Sequence, residues 1–170
     1  KREFYQSVTL SAMARELITS WAEYQTAIDR MLAIACHRIC IYDEDLISLK
    51  LESSARLDHV KRLLTSQPAP VLRIAVRNGG PLRHAHPRLQ NLLTTYSHLA
   101  TAQETPPQLA HLRDSMLVID GKHALIRFER DLPRSKLLID EADELRPYLT
   151  RFEEIWSEGG EHITNSVVGL

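Results

Sequence analysis

Apolar positions along the chain fall into two rhythms, and the alternation between them outlines the fold. Trp21, Tyr24, Ile28, Met31, Leu32 and Ala35 recur at helical spacing. Just ahead of them Ser20-Trp21-Ala22-Glu23 reads as a capping box, with the serine oxygen taking first-turn amides and the glutamate reaching back to the cap. The spacing predicts a helix from Trp21 that passes through Arg38 into a short strand, Ile39-Cys40-Ile41-Tyr42, ended by Asp43-Glu44-Asp45. Ser53 or Ser54 opens a second amphipathic helix carrying Leu57, Val60, Leu63 and Leu64. Gln67-Pro68-Ala69-Pro70 breaks that pattern, a strand follows over 71–76, and Arg77-Asn78-Gly79-Gly80-Pro81 closes it. A third helix is predicted after Pro87, with Leu89, Leu92, Leu93 and Tyr96 on one face, before a further break at Thr105-Pro106-Pro107.

Two apolar runs, 116–119 and 124–128, flank Asp120-Gly121-Lys122-His123, which reads as a tight hairpin turn because Asp-Gly readily supplies positive φ angles. Residues 136–139 suit a final edge strand. Asp140-Glu141-Ala142-Asp143 then starts a terminal helix bearing Leu145, Leu149, Phe152, Ile155 and Trp156. Strands alternating with helices in this way indicate an α/β protein, a mixed sheet flanked by helices on both faces. Trp21, Tyr96, Phe152 and Trp156 share helical phasing with Leu and Ile and are expected as core anchors. Residues 1–16 lack strand alternation and are expected as a lead-in segment, 17–158 as the domain and 159–170 as a tail; there is no internal repeat.

Composition narrows the class. With 170 residues, 44% hydrophobic and 25% charged, the chain can bury a substantial core as one domain without metals or disulfides. No apolar run approaches the roughly 20 residues of a membrane helix, and the start shows no signal-peptide pattern, so a soluble cytoplasmic protein is expected. The first residue is Lys1 rather than Met, which leaves room for further residues or a whole domain upstream. A net charge of −1 provides no global field for a polyanion and disfavours non-specific nucleic-acid binding. Cys36 and Cys40 flank His37, but they are spaced by four with no second ligand pair behind them, so they are expected as buried thiols rather than zinc ligands. No cofactor is indicated.

The densest chemical feature is the stretch after the 71–76 strand. Arg77, Asn78, Arg83, His84, His86 and Arg88 crowd around flexible Gly79-Gly80 amides and form a candidate site for phosphate or carboxylate. The competing reading is a solvated basic loop, since no phosphate-loop signature is present. In open α/β sheets ligands favour the crevice at the carboxyl ends of the strands, which would gather Asp43, Arg77, Asn78, Arg113 or Asp120. His84 and His86 could join His111 or His123 as metal ligands or acid–base groups if the fold unites them. No carboxylate third ligand is specified, and no metal is assigned.

The hairpin strand Arg113-Asp114-Ser115-Met116-Leu117-Val118-Ile119-Asp120-Gly121 resembles the active-site strand of phospholipase D-like proteins with its working side chains replaced. That family's pattern is His, any residue, Lys, four residues, Asp, with Gly-Ser and Asn further on. Alignment on Asp120 puts Arg113 at the nucleophile position and Ser115 at the lysine position, while the later Gly, Ser and Asn fall on Arg127, Phe128 and Arg130. Guanidinium is not a nucleophile and a lone serine hydroxyl needs a base, so the resemblance implies a degenerate site. His111-Leu112-Arg113 preserves a His-x-Arg order, but displaced along the strand by about 6 Å.

The resemblance spans about 17–158. Besides the hairpin it rests on Leu17-Ile18-Thr19-Ser20 before a helix, the strand ending at Asp43, His86-Pro87-Arg88-Leu89 opening a helix, and Arg151-Phe152-Glu153-Glu154-Ile155-Trp156. It is similar to one half of a phospholipase D-like fold and to a bacterial domain of uncharacterised role that follows N-acetyltransferases of the GNAT type. No acetyl-coenzyme A loop occurs in these residues, so acetyl transfer would belong to a partner domain or protein. Because active phospholipase D sites are built from two such halves, the resemblance implies a homodimer with the former sites at the seam. The expected role is a non-catalytic binding or regulatory module. The alternatives are a phosphodiesterase or nuclease assembled across that dimer, with His111 or the loop histidines as nucleophile and acid, and an inert scaffold.

Overall fold

The computed structural model describes residues 13–163. In chain order the elements are β1 (Ala14–Ile18), α1 (Trp21–Ile34), β2 (Ile39–Asp43), α2 (Ser54–Ser66), β3 (Leu72–Val76), α3 (Gly80–Ala85), α4 (Pro87–Thr95), β4 (Ala100–Glu104), β5 (Ser115–Ile119), β6 (His123–Arg127), β7 (Ser135–Ile139), α5 (Ala142–Ser157) and β8 (Glu161–His162). The strands form one mixed sheet in the order β1-β7-β6-β5-β2-β3-β4-β8. β2, β3 and β4 are parallel, joined by helical crossovers, whereas every other pairing is antiparallel. This is the α/β class and mixed sheet that the patterning predicted. No helix among the described residues is long and apolar enough to cross a membrane.

The sheet is covered on both faces, which is why its central strands read as continuous apolar runs. Ile39, Ile41, Ile74, Leu117, Ile119 and Leu125 point into the larger core with α1, α2 and α4. The alternate residues Cys40, Tyr42, Met116, Val118, Ala124 and Ile126 pack beneath Leu145, Phe152 and Ile155 of α5. α1 starts where its cap predicts, with Ser20 Oγ accepting from Glu23 N at 3.1 Å. Arg56 of α2 locks it to α1 through bonds to Asp29 (2.8 Å) and the side chain and carbonyl of Gln25 (2.7 and 3.1 Å).

Several expectations are corrected. Residues 14–16 of the expected lead-in enter β1, which pairs with β7, so β7 is an interior strand and not the sheet edge; residues 1–12 lie outside the described residues. β4 was not anticipated, because Ala-Thr-Ala-Gln-Glu carries neither aliphatic bulk nor clean alternation. The basic stretch after β3 is not an open loop but holds the short helix α3. Part of the expected tail returns as β8 against β4, and Gly160 (φ 142°) is required there because a Cβ would collide with Glu104 O; residues 164–170 lie outside the described residues. Cys40 is buried as expected, but Cys36 is exposed, since it falls in the turn after α1 rather than on a strand. Trp21, at the open first turn of α1, is 40% exposed rather than a core anchor.

Asp120, the residue aligned with the phospholipase D aspartate, has a structural task. Its carboxylate accepts from the backbone N–H groups of Cys36 (3.0 Å), His37 (2.7 Å) and Arg38 (2.8 Å), fixing the turn between α1 and β2 from the tip of the β5–β6 hairpin. Its φ of 57° suits Asp or Asn better than other side chains. Asp120→Ala should therefore cost about 2–3 kcal/mol in urea denaturation. Asp120→Asn, which keeps an acceptor and the backbone preference, should lose clearly less; equal losses would contradict this role.

Candidate functional site

Register builds a polar row at one end of the sheet. Ile18 pairs with Ser135, Ser135 with Arg127, and Arg127 with Ser115, while Asp43 follows Tyr42, the partner of Met116. Ser135, Arg127, Ser115 and Asp43 thus lie side by side across four strands, facing α1. All are buried, with Arg127 only 1% exposed and Asp43 fully enclosed.

The row is held by a buried ion pair. Arg127 Nη2 donates to Asp43 Oδ1 at 3.2 Å and to Ser115 Oγ at 3.4 Å, and Nη1 donates to the carbonyls of Arg130 (2.6 Å) and Glu129 (3.3 Å). The second Asp43 oxygen accepts from Leu46 N (2.7 Å) and Asp45 N (3.2 Å). The guanidinium carbon lies 5.3 Å from the ring centre of Tyr24 and 5.4 Å from that of Trp21, both on the first turn of α1. Burial pushes the Tyr24 hydroxyl up to about 12, against the opposing charge of Arg127, so it stays protonated at neutral pH.

A second cluster occupies the same end on the α5 face. Arg77 Nε meets Glu44 at 2.8 Å, its Nη1 donates to Asp114 O at 2.7 Å, and its guanidinium stacks 4.9 Å from the Tyr42 ring centre. Burial works against the Arg77 charge, but the Glu44 hydrogen bond and Tyr42 outweigh it and its pKa rises above the arginine norm. Glu44 also takes Arg130 at 3.3 Å, and Arg151 grips the Asp114 carboxylate at 2.8 and 3.0 Å. Arg113 bridges Glu129 (2.6 Å) and Asp131 (2.7 Å); the Arg113 bond holds Glu129 below the usual carboxylate range.

These pairings decide what the candidate residues can do. Arg77 and Arg113 reach one end of the sheet, each consumed by carboxylates. Arg83 is taken by Glu104, the last residue of β4 at the same end of the sheet (3.2 Å), and Arg88 turns to Glu52 and Ser54. His86 is buried with Nδ1 2.9 Å from Pro81 O, Asn78 accepts from Gly80 N, and His84 is exposed. His111 is exposed, while His123 bonds Asp140 N at the far end of the sheet, so the histidines do not converge. Among the described residues no group of three or more His, Cys, Asp and Glu side chains is placed to hold a metal ion. Asp120 leaves the candidate crevice altogether: β5 runs antiparallel to β2, which carries the C-terminal end of β5 to the end opposite Asp43. Ser115 Oγ faces a cationic donor rather than a base and is not activated.

Arg127 was the residue whose role sequence reasoning missed. Its signal was present: an arginine in the run Ala-Leu-Ile-Arg-Phe, in phase with Leu125, must point into the core and needs a buried partner. Arg127→Met should cost about 3–5 kcal/mol by leaving the Asp43 carboxylate unpaired. Asp43→Leu combined with Arg127→Met should recover most of that loss in the same denaturation measurement; a double variant as unstable as the sum of the singles would contradict the pairing.

Comparison with solved structures places the fold. The chain is similar to TrmBL2, an archaeal chromatin protein whose structure is described as showing a novel mode of DNA binding (TM-score 0.65, 14% identity), covering 93% of this chain but only 56% of that one. It is similar to Nuc from Salmonella typhimurium, a phospholipase D family member (TM-score 0.61, 12% identity, 91% and 100% covered), and to NucT from Helicobacter pylori (TM-score 0.57, 8% identity, 90% and 99% covered). At these identities the likeness establishes a phospholipase D-like fold. No curated protein matches the sequence. A family model does match, over residues 20–164, and the chain belongs to that family, described as a domain of unknown function (DUF7931).

Proposed function

We propose that this domain is a non-catalytic phospholipase D-like module with a binding or regulatory role, acting as a homodimer. The observation that carries this reading is the buried Arg127–Asp43 pair with Ser115. Ser115 stands where the resemblance puts the phosphate-handling lysine, and its neighbour Arg127, at the position of the later glycine, is neutralised inside the core by Asp43. Its neighbours Arg77, Arg113, Arg130 and Arg151 each hold a carboxylate, so a phosphodiester entering there would have to displace an internal partner. The same pairing, with a net charge of −1, argues against a nucleic-acid role of the kind described for TrmBL2.

The rim of this end supports a protein partner. Phe128 and Leu132, in the β6–β7 connection, are 41% and 55% exposed, and half-exposed Trp21 stands over Arg127 at the same end of the sheet. Apolar side chains around a polar centre whose charges are paired internally suit an interface with a polar middle, and a second copy of the chain is the occupant this reading assigns. The sequence resemblance extends the reading to an N-acetyltransferase served by the dimer.

Two measurements test it together. Sedimentation should show a dimer that Leu132→Asp with Phe128→Ser converts to monomer without loss of folding. Bis-p-nitrophenyl phosphate and single-stranded DNA should remain uncleaved, with or without EDTA. A native hydrolysis abolished by His111→Ala or His84→Ala would overturn the non-catalytic reading, and a monomer at all concentrations would overturn the dimer.

A further inference from the structure

At the other end of the sheet, beneath α5, the two faces do not close completely. A cavity of about 190 Å³ lies there, floored by Cys40 and Val118, walled by Leu149 and Phe152, and rimmed by Arg38 and Glu153. Cys40 and Val118 are register partners on β2 and β5, so the floor is rigid sheet. Gly121, at the hairpin tip, leaves the mouth open: a Cβ there would meet nothing within 4 Å.

The charges at the mouth do not cancel. Glu153 is held by Arg73 Nη1 through both oxygens, at 3.2 and 3.3 Å. The exposed Arg38 guanidinium makes no hydrogen bond or ion pair among the described residues, leaving one positive charge over an apolar pocket. Its backbone is fixed, with Arg38 N donating to Asp120 Oδ1 and Arg38 O accepting from Asp120 N at 2.8 Å each. The Cys40 thiol adds no opposing charge: burial pushes it up to about 11, with Arg38 and Arg73 only partly offsetting this.

We propose that this cavity binds a small apolar carboxylate, an aryl or short-chain acid anion, with its apolar body against Cys40, Val118 and Phe152 and its carboxylate on Arg38. The size fits: an apolar cavity of about 150 Å³ takes up benzene, and this one is slightly larger. A buried apolar body with one charge-assisted contact at the rim is the usual division of labour in small-molecule sites. The site is independent of the dimer reading, since it lies at the end of the sheet opposite Asp43 and Arg127.

Titrations of ¹⁵N-labelled protein with benzoate, and with toluene as the uncharged analogue, test the proposal. Benzoate should produce saturable amide shifts at Cys40, Val118 and Phe152. Arg38→Gln, on an exposed side chain that leaves the core intact, should weaken benzoate about five-fold while leaving toluene unchanged. Leu149→Trp, which fills the cavity from the half-buried face of α5, should abolish both. Absence of saturable shifts at these residues, an equal response of benzoate and toluene to Arg38→Gln, or unchanged binding in a folded Leu149→Trp protein would overturn it.

Discussion

The buried pair between Arg127 and Asp43 governs the carboxyl end of this sheet. Two charges removed from water cost much unless they are paired and hydrogen-bonded, and the partners taken by both Asp43 oxygens and both Arg127 Nη atoms fix a great deal around them. Asp43 needs the amides of Asp45 and Leu46, so the chain leaving β2 must curl tightly, with Leu46 in a left-handed conformation. Arg127 needs the carbonyls of Glu129 and Arg130, which shapes the start of the β6–β7 connection. It also needs an electron-rich cover, which Tyr24 and Trp21 provide at the first turn of α1. One ion pair thereby ties together β2, β5, β6, two connecting segments and a helix terminus.

Strand direction explains why residues close in sequence serve opposite ends. Arg113 and Asp120 bracket β5, and because β5 is antiparallel to β2 the first joins the polar end and the second caps the turn after α1. A motif read as one constellation is therefore two devices about one strand length apart. The hydrogen bonds of Asp120 serve the fold, so its presence is evidence about architecture and carries no information on catalysis.

Much of the architecture was legible because it rests on local physics. The Ser20 cap, the Asp120-Gly121 turn and the unbroken apolar runs of β2, β5 and β6 each state their conformation within a few residues. β1 and β4 were not legible because they are poor in aliphatic residues on one or both faces, and β8 because it has only two residues; each is held by a partner distant in sequence. The candidate site was legible in composition but not in pairing. Sequence shows arginines in number; only the fold shows that Arg77 meets Glu44, Arg83 meets Glu104 and Arg113 meets Glu129, which turns an apparent anion trap into a set of internal ion pairs.

The contrast between the two ends of the sheet follows from this accounting of charge. At the carboxyl end arginines and carboxylates alternate closely enough for nearly every cation to find an internal anion, and an incoming anion would gain little beyond what it displaced. At the opposite end Glu153, the one carboxylate among the described residues at the cavity rim, already belongs to Arg73, and the Asp120 carboxylate is spent on backbone amides. Arg38 is left over, beside apolar surface that α5 does not fully cover. An unpaired cation next to unfilled apolar volume is a more favourable place for an acidic ligand than a crowd of arginines already neutralised, even though the crowd is what first draws the eye in the sequence.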